Sequence, residues 1–189
     1  MLDETSFRVL NAVYLKKLTT VPSIAELIDV PMEAVETVAA RCSGDGTMLS
    51  LPAGVMLTPT GIDEVRDYSR AAYKSVRQGN ELETWYPRFE VLNTRFIELV
   101  TEWQRSGGEE RVSEKVIQVC DRLVKAIEEL VPSIPRYTEY VTRFVRSMDR
   151  VDRGDREYVS NPTKDSLHNI WFEFHEDVLG VLDRPRDTT

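Results

Sequence analysis

Two histidines, His168 and His175, lie seven residues apart in one helical segment. Metal ligation from a single helix uses i,i+3 or i,i+4 spacing, whereas two turns separate these rings by about 10 Å, too far to share an ion. Asp165 stands three residues before His168, but two ligands do not make a metal site. Both histidines fall on or beside the apolar stripe of Trp171, Val178 and Leu182. That placement fits either buried, hydrogen-bonded imidazoles or the lining of a pocket. In a pocket, protonation of His175 next to Glu176 would tune binding. Trp85, Tyr86, Arg88, Tyr137, Tyr140 and Arg143 add aromatic rings and guanidinium groups. Such sets bind acidic aromatic molecules inside bundles, although amphipathic helices need the same stripe for their cores. The candidate ligand set is therefore Trp85, Arg88, Tyr137, Tyr140, His168 and His175.

For catalysis the sequence offers little. It holds no phosphate-cradling glycine loop, no nucleophile elbow and no HExxH. Asp63, Glu64 and Asp67 read as an acidic first turn of a helix, which the helix dipole favours, and Glu128-Glu129 reads as a solvated pair. Cys42 and Cys120 are far apart and read as free, buried thiols. The expectation is a protein without catalytic residues, metal or cofactor.

These residues must be positioned by helices. Phe7, Leu10, Val13, Tyr14 and Leu18 repeat at helical spacing between Thr5 and Leu18. A short helix follows from Ser23 to Ile28, with Ser23 as N-cap and Glu26 completing a capping box. Asp29-Val30-Pro31 turns the chain, and a third helix runs from Met32 to about Arg41, burying Val35, Val38, Ala39 and Cys42. After the turn Ser43-Gly44-Asp45-Gly46 come two short strands, Met48–Leu51 and Val55–Leu57, joined through Pro52, Ala53 and Gly54. Thr58 caps a further helix reaching about Val76. Four more helical stripes occupy 82–105, 112–131, 135–151 and a last segment capped by Asn161-Pro162. Arg88 with Glu102, and Arg95 with Glu98, read as surface pairs. The tail 184–189 is expected to fray.

The order helix, helix, helix, strand, strand, helix is that of a winged helix-turn-helix. Ile24-Ala25-Glu26-Leu27, Val30-Pro31, Ala34-Val35 and Gly44-Asp45-Gly46 resemble the two-helix core of bacterial regulators. Leu57-Thr58-Pro59-Thr60-Gly61 resembles the wing-to-helix passage of MarR-type regulators. Asp29 stands where many such proteins have Gly, and Asp tolerates the left-handed conformation that turn needs. Trp85-Tyr86-Pro87, Trp103-Gln104 and the run from Trp171 to Asp177 are similar to a helical region that follows a winged helix in some actinobacterial proteins. The fold expected is mainly α, with residues 1–79 as a winged helix-turn-helix domain and 80–189 as a four-helix bundle for dimerisation and effector binding.

The MarR resemblance implies a homodimeric regulator that puts the third helix into the major groove of double-stranded DNA. On this reading Glu36, Thr37 and Arg41 face base edges, Lys16, Lys17 and Arg41 face phosphate, and Glu33, Ala53 and Gly54 complete the interface. Charge opposes it. From Pro31 to Gly46 there are three acids and one base, and the wing tip Pro52-Ala53-Gly54 has no Arg or Lys. Residues 1–79 hold ten acids and eight bases, net −2; residues 80–189 hold twenty-two and sixteen, net −6, within a chain of −8. The competing expectation is an accessory subunit whose winged helix docks a protein, similar to pieces found near phosphoenolpyruvate-utilising proteins. No stretch approaches the roughly 18 apolar residues of a membrane span, and the acidic N-terminus does not read as a signal peptide, so a cytoplasmic location without membrane partners is expected.

Overall fold

The computed structural model describes residues 2–185, and the end of the tail expected to fray lies outside the described residues. Among the described residues are ten α-helices, one 3-10 turn and one two-stranded antiparallel sheet. They fall into two compact units. One takes the residues up to Ser75 together with those from Glu176 onward; the other is Val76–His175.

The first unit begins with α1 (Glu4–Lys16), capped by the Asp3 carboxylate accepting from the Ser6 backbone N–H at 2.8 Å. Helix α2 (Val21–Ile28) starts earlier than the expected Ser23 cap. Thr20 is its N-cap, accepting from the Ser23 N–H at 3.3 Å, and Pro22 sits in the first turn, where no donor is lost. Asp29 adopts the expected left-handed conformation, φ 47° and ψ 56°, and α3 (Met32–Gly44) follows. Phe7, Leu10, Val13, Ile24, Val35, Val38 and Val65 close one apolar core.

Strands β1 (Met48–Leu51) and β2 (Gly54–Leu57) pair with Leu49 opposite Met56 and Ser50 opposite Val55. On its other side β2 bridges Thr19, where Thr19 N–H donates to the Val55 oxygen at 3.1 Å and Val55 N–H to the Thr19 oxygen at 2.7 Å. Gly54 is obligatory here: its φ is 138°, and a Cβ would stand 2.2 Å from the Thr19 carbonyl oxygen. Thr58 then caps α4 (Pro59–Ala72) by accepting from the Gly61 N–H. The helix expected to continue to Val76 breaks at Tyr73, and α5 (Lys74–Gln78) is separate. Ser69 Oγ donates to the Gly180 oxygen at 3.0 Å, and Arg70 pairs with Asp183 at 3.1 Å, so the first unit is finished by residues more than a hundred positions downstream.

In the second unit α6 (Glu81–Arg105) runs straight through Pro87. It packs on α7 (Glu110–Leu130), which in turn packs on α8 (Thr138–Asp152). A 3-10 turn at Pro135–Tyr137 leads into α8, and a short α9 (Glu157–Ser160) precedes α10 (Leu167–Leu182), of which the part up to His175 belongs to this unit. The last helix is not capped by Asn161, whose side chain instead accepts from the Thr163 N–H at 2.8 Å in a local turn. Ser166 lies just before α10, and its hydroxyl accepts from Asn169 N–H. Phe96 stacks on Trp171 with centroids 3.9 Å apart, and Phe174 meets Trp85, Phe89, Tyr137 and Tyr140 edge-on. No described helix is long and apolar enough to cross a membrane.

Candidate functional site

Helix α3 turns Val35, Val38, Ala39 and Cys42 inward, which leaves Glu33, Glu36, Thr37, Ala40 and Arg41 on its exposed face. Two polar side chains of that face, Thr37 and Arg41, are engaged within the chain. Thr37 Oγ1 donates back to the Glu33 carbonyl at 2.8 Å. The Arg41 guanidinium reaches the Ser6 hydroxyl and stands 3.9 Å from the Asp3 carboxylate, which ties the cation to the start of α1. Hydrogen bonds from Ser6 N–H and Oγ, with Arg41 adding attraction, hold the Asp3 carboxyl below its ordinary pKa.

Three other cations of the unit are also engaged, while Arg66 and Lys74 on α4 and α5 are exposed. Lys17 sits over the Tyr14 ring at 4.3 Å, Arg8 donates to the Ile28 carbonyl, and Arg70 bridges Asp67 and Asp183. Lys16 is half-buried at the end of α1. A groove of about 810 Å³ runs beside Arg41, and Asp3, Asp45, Glu64 and Asp67 all line it. Its balance of charge repels phosphate.

The hairpin has the opposite character to a phosphate-seeking wing. From Gly46 to Ile62 no residue carries a charge. Met48, Val55 and Leu57 point into the core, so the alternate residues Leu49, Leu51 and Met56 face outward, 47%, 44% and 36% exposed. The antiparallel bridge at Thr19 and Val55 sets Leu18, 45% exposed, alongside Met56. Ala53 is exposed at the hairpin tip, but Gly54 is tucked against Thr19. The outward leucines are legible as alternation along the strands, a signal separate from the lack of basic residues there.

In the second unit the expected ligand residues divide. Trp85, Tyr137 and Tyr140 are core: the Trp85 indole donates to the Ala126 carbonyl at 2.8 Å, and the tyrosine rings pack on Phe174. His175 is also buried, its Nε2 3.0 Å from Tyr86 Oη and 3.4 Å from Glu90 Oε1. Arg88 is at the surface, paired with Glu129 at 2.6 Å and not with Glu102, which faces Lys115. Arg95 pairs with Glu98 as expected. His168 is exposed beside the Phe96 ring, and desolvation lowers its pKa against a hydrogen bond it donates to Asn169.

Arg143, expected to face a cavity, is instead the centre of a buried ion cluster. Its Nη2 donates to Asp165 and to Glu173, each at 2.6 Å, and Nε donates to Asp165 at 3.0 Å. Burial works against the guanidinium charge, yet the two carboxylates outweigh it and raise its pKa. Spacing along the sequence carries no signal for this cluster, because its members lie on α8, α10 and the loop between α9 and α10. Cys42 and Cys120 are free and buried, and burial pushes the Cys120 thiol up. Among the described residues no group of three metal-ligating side chains comes together. No family model matches the chain, and comparison with curated proteins and with solved structures returns no match.

Proposed function

We propose that the chain is a non-catalytic protein whose first unit is a winged helix-turn-helix used for association, and that its α3–hairpin face meets protein rather than duplex DNA. One observation carries the reading: the hairpin is uncharged from Gly46 to Ile62 and turns Leu49, Leu51 and Met56 outward. A wing held against a duplex contributes phosphate contacts, and affinity for DNA comes largely from such contacts. An outward row of aliphatic side chains gains nothing from a polyanion and loses its water against another apolar surface. Glu33 and Glu36 on α3, with Arg41 drawn back to Asp3 and Ser6, support the same reading.

The MarR-like alternative, a homodimer reading a pseudo-palindromic site and sensing a small acid, retains one supporting feature. Lys16 and Lys17 lead directly into the Thr20 and Ser23 hydroxyls at the start of α2, donors suited to a phosphate. The two readings separate by titrating the full chain with mixed-sequence duplex over a range of salt. Association without DNA recognition gives negligible binding even at low salt. A regulator gives a steep salt dependence, and Arg41→Ala then weakens binding by about 1–3 kcal/mol if that residue reaches a base.

A further inference from the structure

Apart from the hairpin face, we infer that the groove lined by the start of α1, the end of α3 and α4 binds an aliphatic diamine or polyamine. The groove has a volume of about 810 Å³, the size of sites that take small organic molecules. Leu2, Cys42, Tyr68, Ala71 and Ala72 give it an apolar lining, and the Tyr68 ring stacks on Phe7 with centroids 4.2 Å apart. Its carboxylates come from three places: Asp3 before α1, Asp45 after α3, and Glu64 and Asp67 on α4. Two of them are engaged, since Asp67 pairs with Arg70 and Asp3 accepts from Ser6 and attracts Arg41. Among the described residues, the side chains of Asp45 and Glu64 have no hydrogen-bond or ion-pair partner.

Charge complementarity selects the occupant. Four carboxylates and one guanidinium line the groove, and the carbonyl end of α3 adds the negative pole of its dipole. An anion is repelled. A bare metal ion is poorly served, because among the described residues no three ligating side chains converge. The cations at its edge do not neutralise it: Arg41 is drawn to Ser6 and Asp3, and Arg70 to Asp67 and Asp183. An aliphatic amine with two or more ammonium groups meets both parts of the lining. Its charges pair with Asp45 and Glu64, and its methylenes lie on Tyr68, Ala71 and Ala72. All the lining residues belong to the first unit, and most stand on or beside its helices, so the site is formed before the ligand arrives.

Isothermal titration of the full chain with octanediamine and with spermidine, up to roughly 1 mM ligand in about 0.15 M salt, tests this. The expected result is saturable one-to-one binding of either amine. Octanediol, which keeps the stem and lacks the charges, should not bind. Asp45→Asn combined with Glu64→Gln should weaken amine binding about tenfold or more. Glu110→Gln combined with Glu114→Gln removes the same charge from exposed positions on α7 and should leave the affinity unchanged. Ala71→Trp fills the groove from an exposed helical position and should abolish binding, with circular dichroism checking the fold of every variant. No saturable binding of either amine overturns the inference. So does an equal loss in the two double variants, which would show a response to net charge alone, and so does octanediol binding as tightly as the diamine. None of these outcomes bears on whether the hairpin face meets protein, which the duplex titration reads separately.

Discussion

Arg143 shows how much a single side chain can hold. With Asp165 and Glu173 it forms a buried cluster of one cation and two carboxylates, all less than a fifth exposed. Removing the cation takes the shortest ion-pair partner from two largely buried carboxylates, with Arg146 at 3.5 Å from Asp165 and itself 42% exposed, so Arg143→Ala should cost about 3–5 kcal/mol, measured by denaturant unfolding. The triple replacement by apolar residues of matching volume should cost far less, since it removes the desolvated charges with their partner. Gly54 is the counterpart in the first unit. Gly54→Ala combines a disfavoured φ with a methyl 2.2 Å from the Thr19 oxygen, and should lower stability by about 2 kcal/mol or more. A drop no larger than that of an ordinary surface substitution would show that the Thr19 bridge gives way freely. His168 contributes through pH. Its pKa is lowered in the folded state, so its contribution is fully present above the ordinary value of 6.5 and lost as pH falls below it. Replacement by Gln should flatten that part of the stability profile.

Among the elements, the helices were the most legible. Apolar spacing located α1, α3, α6 and α7 because each buries one face against a core, and burial leaves a period in the sequence. Element ends were read less well, for local reasons. Pro22 reads as a breaker, yet a proline in the first turn removes no bond, and the cap moves back to Thr20. The same residue type has a different consequence in α6. Pro87 is exposed and lies beyond the first turn, so the Glu83 carbonyl loses its usual i+4 amide partner. Pro87→Ala should therefore stabilise the second unit by about 1–3 kcal/mol, read as a shift in the denaturation midpoint. Asp3 shows the opposite case, a cap that works. Its carboxyl titrates below the ordinary value of 3.8, so its cap strengthens α1 at neutral pH and is lost as acid protonates it below that value. Asp3→Ala should cost about 1 kcal/mol at neutral pH and less in strong acid.

For the whole molecule, composition spoke to charge balance but not to where pairing would consume the charges. Counting bases assigned Arg41 and Lys17 to a partner, whereas folding engages Arg41 with Asp3 and Ser6 and sets Lys17 over Tyr14. The candidate site was legible as a location, the third helix and the hairpin, because the order of elements survives in local patterns. Its character lay in long-range contacts that no spacing encodes. The outward leucines, by contrast, are written in simple alternation. The first unit's dependence on Gly180 and Asp183 bears on how the chain is made. As a ribosome emits residues in order, the first three helices and the hairpin of the first unit emerge early, but the Gly180 carbonyl that accepts from Ser69 and the Asp183 carboxylate that joins Asp67 at Arg70 appear only after the whole of Val76–His175 has been synthesised. The nascent module must wait through that interval unfinished, its neutral hairpin already exposed to neighbouring chains on the same message.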